Sequence, residues 1–337
     1  MPNDAPAVRI GVVGVGHLGR HHARLLGQNS RADLVGVVDT SEKARQAAAA
    51  DYGVATFADY RELADRVEAV CVAVPTSAHR EVAGFFLERG VDVLVEKPIT
   101  ADLAEGRELV ALAEAGERIL QVGHVERFNS ALRAIASLNI EPRYIEAHRL
   151  GALTFRSMDV GVVLDLMIHD LDIVLALVGS PVRSVEAFGG ALFTPAEDMA
   201  SAIVKFENGA VAQLTASRVA LKPIRRMRMF SKSAYASLDF TEARGTVIRK
   251  GEGWDFQKLD VESIDPGKID DLWKFVFEGL LSVEHYKLDE GNPLADQLDA
   301  FLASVRDRSR PAVSGEDGVA AVELAERILQ SIGEHPW

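Results

Sequence analysis

The chain has a single cysteine in 337 residues. Cys71 has no partner for a disulfide within the chain, and its place in the apolar run Ala69-Val70-Cys71-Val72-Ala73-Val74 reads as a buried strand residue. Long apolar stretches are lacking as well: none approaches the ~20 residues that span a bilayer. Met1 to Val8 has no apolar core of the signal-peptide kind, so a cytoplasmic protein is expected. Excess positive charge is also missing. The 50 acidic against 37 basic side chains leave a net charge of −13, which argues against a nonspecific nucleic-acid partner and against an anionic membrane surface. Internal repeats and low-complexity tracts are absent from the sequence.

What remains is an ordinary globular composition, 48% hydrophobic and 26% charged, at a length that suits two domains. The first third alternates short apolar runs with helical spacings. Strands are expected at 8–13, 34–38, 69–74, 91–95 and 119–122, and helices at 18–26, 43–50, 77–90 with Ser77 as cap, and 102–115. Strands this apolar are covered on both faces, so residues 1–123 are expected to form a doubly wound parallel sheet. After Gly123 the pattern changes. Strands at 182–188, 202–206, 210–217, 225–231 and 234–239, with Asn208-Gly209 as a hairpin turn, predict a second α/β domain over 124–337. Its sheet is expected to be large, open, mixed and mostly antiparallel. Two helices, at about 293–305 and 315–332, close the chain; the stretch 250–288 shows no legible pattern.

Between the first strand and helix lies Gly14-Val15-Gly16-His17-Leu18-Gly19. A G-x-G-x-x-G turn is weak by itself, but here a strand precedes it and a helix follows. The glycines permit a tight turn and let a pyrophosphate approach the helix N-terminus, where free N–H groups and the dipole favour an anion. Asp39 ends the next strand; a carboxylate there suits the adenosine ribose hydroxyls and repels a 2′-phosphate. Thr40 and Ser41 follow, and the nearest base is Lys43. NAD is therefore expected rather than NADP, with Pro75, Thr76 and His79 bordering it after the third strand. The plainer reading is a glycine turn beside a solvated acid.

Two segments carry acid–base groups. Glu96-Lys97-Pro98 ends the strand 91–95, where ligands bind in open α/β sheets, and Pro98 restricts Lys97 to extended backbone shapes. Taken alone, a strand-end lysine is more often solvated than catalytic. The apolar helix expected over 162–178 carries Asp165, His169 and Asp172 at i, i+4 and i+7, on one face. Burying three such groups costs free energy unless they pair or line a polar cleft. An acid–base set fits this spacing; so does a metal pair completed by His124, although no metal is assigned.

Together, the glycine turn, Glu96-Lys97-Pro98, the Asp165-x-x-x-His169 helix and the second-half sheet resemble the Gfo/Idh/MocA family of nicotinamide-dependent sugar and polyol dehydrogenases, over nearly the whole chain. The resemblance implies an NAD-binding Rossmann domain over 1–123. It implies a substrate-binding and oligomerisation domain over 124–337, whose open sheet forms the interface of a homo-dimer or homo-tetramer. Lys97, Asp165 and His169 become the expected catalytic set, with a cis Lys97–Pro98 bond. Around NAD the expected residues are Gly14, Gly16, His17, Leu18, Gly19, Asp39, Thr40, Pro75, Thr76, His79, Glu96 and Lys97. Against substrate they are Lys97, Arg127, Asn129, Arg156, Asp165 and His169. His169 would act as base oriented by Asp165, with Lys97 donating to the alkoxide, or the two roles exchange.

Within the family, Gln121-Val122-Gly123-His124-Val125-Glu126-Arg127-Phe128-Asn129, His148-Arg149-Leu150, Phe155-Arg156-Ser157 and Asp159-Val160-Gly161-Val162-Val163 are similar to one bacterial branch. That branch oxidises UDP-N-acetylglucosamine to its 3-keto derivative, which is then aminated on the way to a diamino lipid A sugar. A PLP-dependent aminotransferase would suit the next step. Arg127, Arg149, Arg156 and Arg218 offer cations for a diphosphate; Lys222, Arg225, Arg226 and Arg228 read more readily as a solvated or intersubunit strand face, with service to the same diphosphate as the alternative. The alternatives are a dehydrogenase of a free sugar or inositol, and a non-catalytic cofactor-sensing regulator. Retention of Lys97, Asp165 and His169 speaks against the regulator.

Overall fold

The structure, a computed structural model, describes residues 6–136, 140–153, 160–251, 254, 280–287 and 291–335. Internal contacts divide the chain into two units: one runs to Phe128 and takes in Asn292–Glu326, the other holds Asn129–Gly291 and the segment from Arg327. No helix among the described residues is long and apolar enough to cross a membrane.

The first unit is built on six parallel strands: β1 (Val8–Val13), β2 (Ala32–Val38), β3 (Ala55–Phe57), β4 (Ala69–Val72), β5 (Asp92–Glu96) and β6 (Leu120–Gly123), in the order β3-β2-β1-β4-β5-β6. The order reverses direction between β1 and β4, which opens a crevice at their carboxyl ends. Every residue of β4, β5 and β6 is buried, the result expected of apolar runs covered on both faces. The intervening helices are α1 (Gly19–Gly27), α2 (Glu42–Tyr52), α3 (His79–Leu87) and α4 (Leu103–Gly116). Ser41 and Asp102 cap α2 and α4. Ser77 does not cap α3: it lies in a 3₁₀ turn, Thr76–Ala78, and α3 begins at His79 with no side-chain cap.

Ile10, Val12, Val37, Cys71 and Leu94 form one core with Ala23 and Leu26 of α1. Leu298, Phe301, Leu302 and Val305, from the helix Pro293–Asp307, complete it. Sequence alone assigns both C-terminal helices to the second half, but most of their length packs with the first sheet. Helical spacing shows that a face is buried and not which sheet buries it.

The second unit holds α5 (Ser130–Ala136), β7 (Tyr144–Leu150), a π-helical turn (Val163–Met167), α6 (Ile168–Val178), β8 (Val182–Gly190), β9 (Met199–Phe206), β10 (Val211–Ser217), β11 (Ile224–Phe230), β12 (Ala234–Asp239), β13 (Arg244–Lys250) and β14 (Leu281–Lys287). The strands form one sheet, β14-β13-β12-β11-β7-β10-β9-β8, antiparallel throughout except between β7 and β10. Gly209 takes φ +83° in the β9–β10 hairpin, as the Asn-Gly pair predicts. Strand β7 is central yet absent from the expected set, because its buried face reads Ile145, Ala147, Arg149 and the arginine breaks the apolar alternation.

Candidate active site

The glycine turn is shaped by close approach. Gly14 has φ +87°, and a Cβ there would lie 2.6 Å from the Ala73 carbonyl oxygen; at Gly19 it would lie 1.7 Å from the Gly14 oxygen. Gly16 is different: a Cβ would meet nothing within 4 Å, so the front of the turn is open. Asp39 ties the next strand to it. Oδ2 accepts the Val15 N–H at 2.9 Å and Oδ1 accepts the Ser41 N–H at 2.8 Å, while Arg45 donates to the Asp39 and Thr40 carbonyls. An open front above backbone N–H groups and an acid held beside it fit a dinucleotide. His17, engaged by Arg20 at 3.3 Å, and Leu18, 41% exposed, stand on the outer side of the turn.

At the end of β5 the Lys97–Pro98 bond is cis, and Lys97 is half-buried. Glu96 and His79, both expected at the cofactor, are buried. Glu96 Oε1 lies 2.7 Å from Nε2 of His22 on α1, and Oε2 accepts the Lys97 N–H at 3.4 Å. Burial pushes the Glu96 carboxyl up, but the His22 hydrogen bond, with the His22 and Lys97 charges, brings it below its ordinary value. His79 is fully buried, with Nδ1 2.9 Å from the Pro98 carbonyl oxygen and Nε2 3.0 Å from that of Val74. Burial holds its pKa down against those two carbonyls. Pro75 is exposed and Thr76 half-buried in the turn after β4.

In the second unit Asp165 rides on the π turn and His169 on the first turn of α6; both are half-buried, and Asp172 is buried. The expected single helix is thus interrupted where the acid sits, a feature frequent at functional sites. Glu197 holds its start: the carbonyl accepts the Val162 N–H and Oε1 accepts the Val163 N–H, both at 3.0 Å. Asp198 next to it takes three backbone N–H groups, from Leu192, Phe193 and Thr194. Although burial opposes it, these donors and the Thr194 hydroxyl hold its pKa down at about 2.

The cations expected for a diphosphate fare differently. Arg149 is buried in a two-pronged pair with Asp170, 2.9 Å on each prong. Arg218 is buried beside Asp198 at 3.9 Å and donates to the Val160 carbonyl. Asn129 caps α5, its Oδ1 accepting the Ala131 N–H at 3.0 Å. Arg127 stays half-buried in the turn Val125–Phe128, and Arg156 lies outside the described residues. On the sheet face Arg226 pairs with Asp239 at 2.9 Å and Arg228 with Glu146. Among the described residues, no three His, Cys, Asp or Glu side chains gather as metal ligands. His22, Asp170, Glu197 and Asp198 went unseen in the sequence; only His22, polar on the apolar stripe of α1, left a signal there.

A doubly wound sheet whose first turn demands two glycines, with an acid after the next strand and a lysine directly after β5, defines an NAD-binding oxidoreductase. Residues 8–124 match the profile of an oxidoreductase family with an NAD-binding Rossmann fold, and 141–234 match the GFO/IDH/MocA C-terminal domain. The chain belongs to the Gfo/Idh/MocA family. It is 40% identical over 324 residues, 96% of either chain, to UDP-N-acetylglucosamine 3-dehydrogenase of Acidithiobacillus ferrooxidans. A solved structure of that enzyme superposes with a TM-score of 0.86 at 32% identity, covering 98% of this chain and 99% of the other. Inositol 2-dehydrogenase of Rhizobium meliloti is 25% identical over 97% of each.

Proposed function

We propose that this chain oxidises the 3-hydroxyl of UDP-N-acetylglucosamine in the cytoplasm, using NAD, and supplies a 3-keto sugar for amination toward a lipid A or surface-glycan amino sugar. The observation that carries this is the full-length likeness to a dehydrogenase of that substrate. Lys97, Asp165 and His169, an acid–base set suited to the reaction, accompany it. NAD, when bound, supplies the hydride acceptor. The turn from Gly14 to Gly19 and Asp39 hold its pyrophosphate and adenosine ribose. His169 takes the hydroxyl proton, and Asp165 favours the imidazolium that results. Lys97 donates a hydrogen bond to the alkoxide oxygen as charge develops; the Lys97 and His169 roles exchange in the other assignment. A PLP-dependent aminotransferase would suit the keto product, and a homo-dimer or homo-tetramer is the proposed assembly.

One observation favours a second reading, a free sugar or inositol as substrate. Arg149 and Arg218, two of the four cations offered for a diphosphate, are engaged inside the protein. The deciding experiment mixes stoichiometric protein with NAD and follows nicotinamide absorbance on adding UDP-N-acetylglucosamine, N-acetylglucosamine or myo-inositol. Reduction with the UDP sugar alone is the expected result. Reduction by a free sugar or inositol instead transfers the assignment to the second reading, and tight NAD binding with no reduction by any of a panel of polyols points to a regulator.

A further inference from the structure

Two buried imidazoles that this chemistry leaves unused stand on either side of Lys97. His22 reaches Glu96, the residue before it, and His79 reaches the carbonyl of Pro98, the residue after it. Both side chains are fully buried among strands and helices of the first unit. A buried imidazole carries a desolvation cost that valine or leucine would avoid, so the bonds it makes are the reason to look for a role. Here the bonds share a target. Glu96, fixed through Oε1, is left to receive the Lys97 N–H on Oε2. The ring of His79 lies between the Pro98 and Val74 carbonyls and, neutral, donates its one N–H to either of them, filling the space between the chain beyond β5 and the chain beyond β4. The titratable neighbours of His22 are Cys71 of β4 and Glu96 of β5, and the Glu96 charge also acts on His79.

We propose that His22 and His79 are positioning residues for Lys97: they fix the backbone on both sides of it and thereby the root of its flexible side chain. The proposal rests on Lys97 acting in catalysis. An ammonium on four rotatable bonds gains more from a fixed root than a planar guanidinium does, and a shift of about 1 Å in a reacting group costs about 100-fold in rate.

The test compares His22→Leu, His22→Gln, His79→Leu, His79→Gln and Lys97→Ala with the parent, each loaded with NAD and assayed with UDP-N-acetylglucosamine. Melting scans and NAD titrations establish that each variant is folded and binds cofactor. For the leucine variants, kcat is expected to fall about 10- to 100-fold with KM little changed, and the limb of the kcat–pH profile to move. The glutamine variants keep an N–H for one acceptor and recover part of the loss. A second readout needs no substrate: reductive methylation of Lys97 across pH, followed by peptide mass spectrometry, with exposed Lys232 as the internal standard. The methylation rate of Lys97 relative to that standard is expected to change about threefold or more in the leucine variants.

Unchanged kcat, profile and methylation in folded histidine variants overturn the proposal, whatever happens to the melting temperature. Where a leucine variant does not fold, the glutamine variant decides by the same readouts. Full turnover by Lys97→Ala removes the catalytic reading, and the proposal with it. An inactive Lys97→Ala beside fully active histidine variants removes the proposal alone. If the UDP sugar reduces nothing, methylation decides whether the histidines act on Lys97.

Discussion

His22 and Glu96 show how one buried pair sets a pH window. Burial lowers the proton affinity of His22, but Cys71 beside it and the hydrogen bond and charge of Glu96 overcome it and raise the pKa from 6.5 to about 10. The Glu96 pKa is lowered from 4.5. A raised histidine contributes fully below 6.5 and loses its contribution as pH rises through about 10. A lowered carboxylate contributes fully above 4.5 and loses its contribution as pH falls through its depressed value. Both contributions are whole between 4.5 and 6.5. Glu96→Gln is therefore expected to cost the most stability in that window and progressively less toward pH 10. His22 can discharge once its partner is neutral, so the cost belongs near the about 1–3 kcal/mol of an unmet buried hydrogen bond, rather than the about 3–5 of a stranded charge. Urea unfolding at mildly acidic and at alkaline pH measures it, and an equal loss at both would show that the pair is not the cause.

At the scale of elements, the two closely packed glycines and the open one make opposite predictions. Gly19→Ala drives a methyl into the Gly14 carbonyl, so the turn itself must move; NAD affinity is expected to fall by about 1.4 kcal/mol or more, tenfold in Kd, with a lower melting temperature. Gly16→Ala meets no protein atom. It is expected to leave the melting temperature of the free protein unchanged while weakening NAD, because the methyl enters space meant for the pyrophosphate. Titration of both variants with NAD, beside thermal scans without it, checks the contrast; equal effects on stability would refute it. What the sequence made legible follows the same physics. Apolar runs announced β1, β2, β4, β5 and β6, and the glycine turn, Asp39, Lys97 and the Asp165–His169 helix stood where spacing put them. The three-residue β3 is too short to show a period, β7 hid behind Arg149, and the π turn has no sequence signature of its own. The internal pairing of Arg149 and Arg218 stayed hidden because their acidic partners, Asp170 and Asp198, are distant in sequence. A pairing between separate elements leaves no periodic trace.

At the scale of the molecule, the eight-stranded sheet has one face to account for. α5 packs on β12 and β13, and the π turn packs on β10. Strand alternation sends Ile145, Ala147, Met227, Met229, Ala236 and Leu238 to the buried face, and Glu146, His148, Arg226, Arg228, Tyr235, Ser237 and Asp239 to the other. That other face is neither plainly apolar nor plainly solvated. Tyr144, Phe230 and Tyr235 stack in a row with ring centroids 5.9 and 4.9 Å apart, and its arginines are largely neutralised by Asp239 and Glu146. A broad surface with an aromatic row and both signs of charge can meet a copy of itself about a two-fold axis. The expected state in solution is therefore a dimer or tetramer, and light scattering or sedimentation of the purified protein reads it directly. Arg228→Glu places a second acid directly opposite Glu146 in every copy, and the cross-strand repulsion costs the sheet itself about 1 kcal/mol or less. Oligomer dissociation with a melting temperature that stops depending on protein concentration is the outcome this face predicts. A parent protein that is monomeric at micromolar concentration, or a variant that stays assembled, would move the interface elsewhere or remove it.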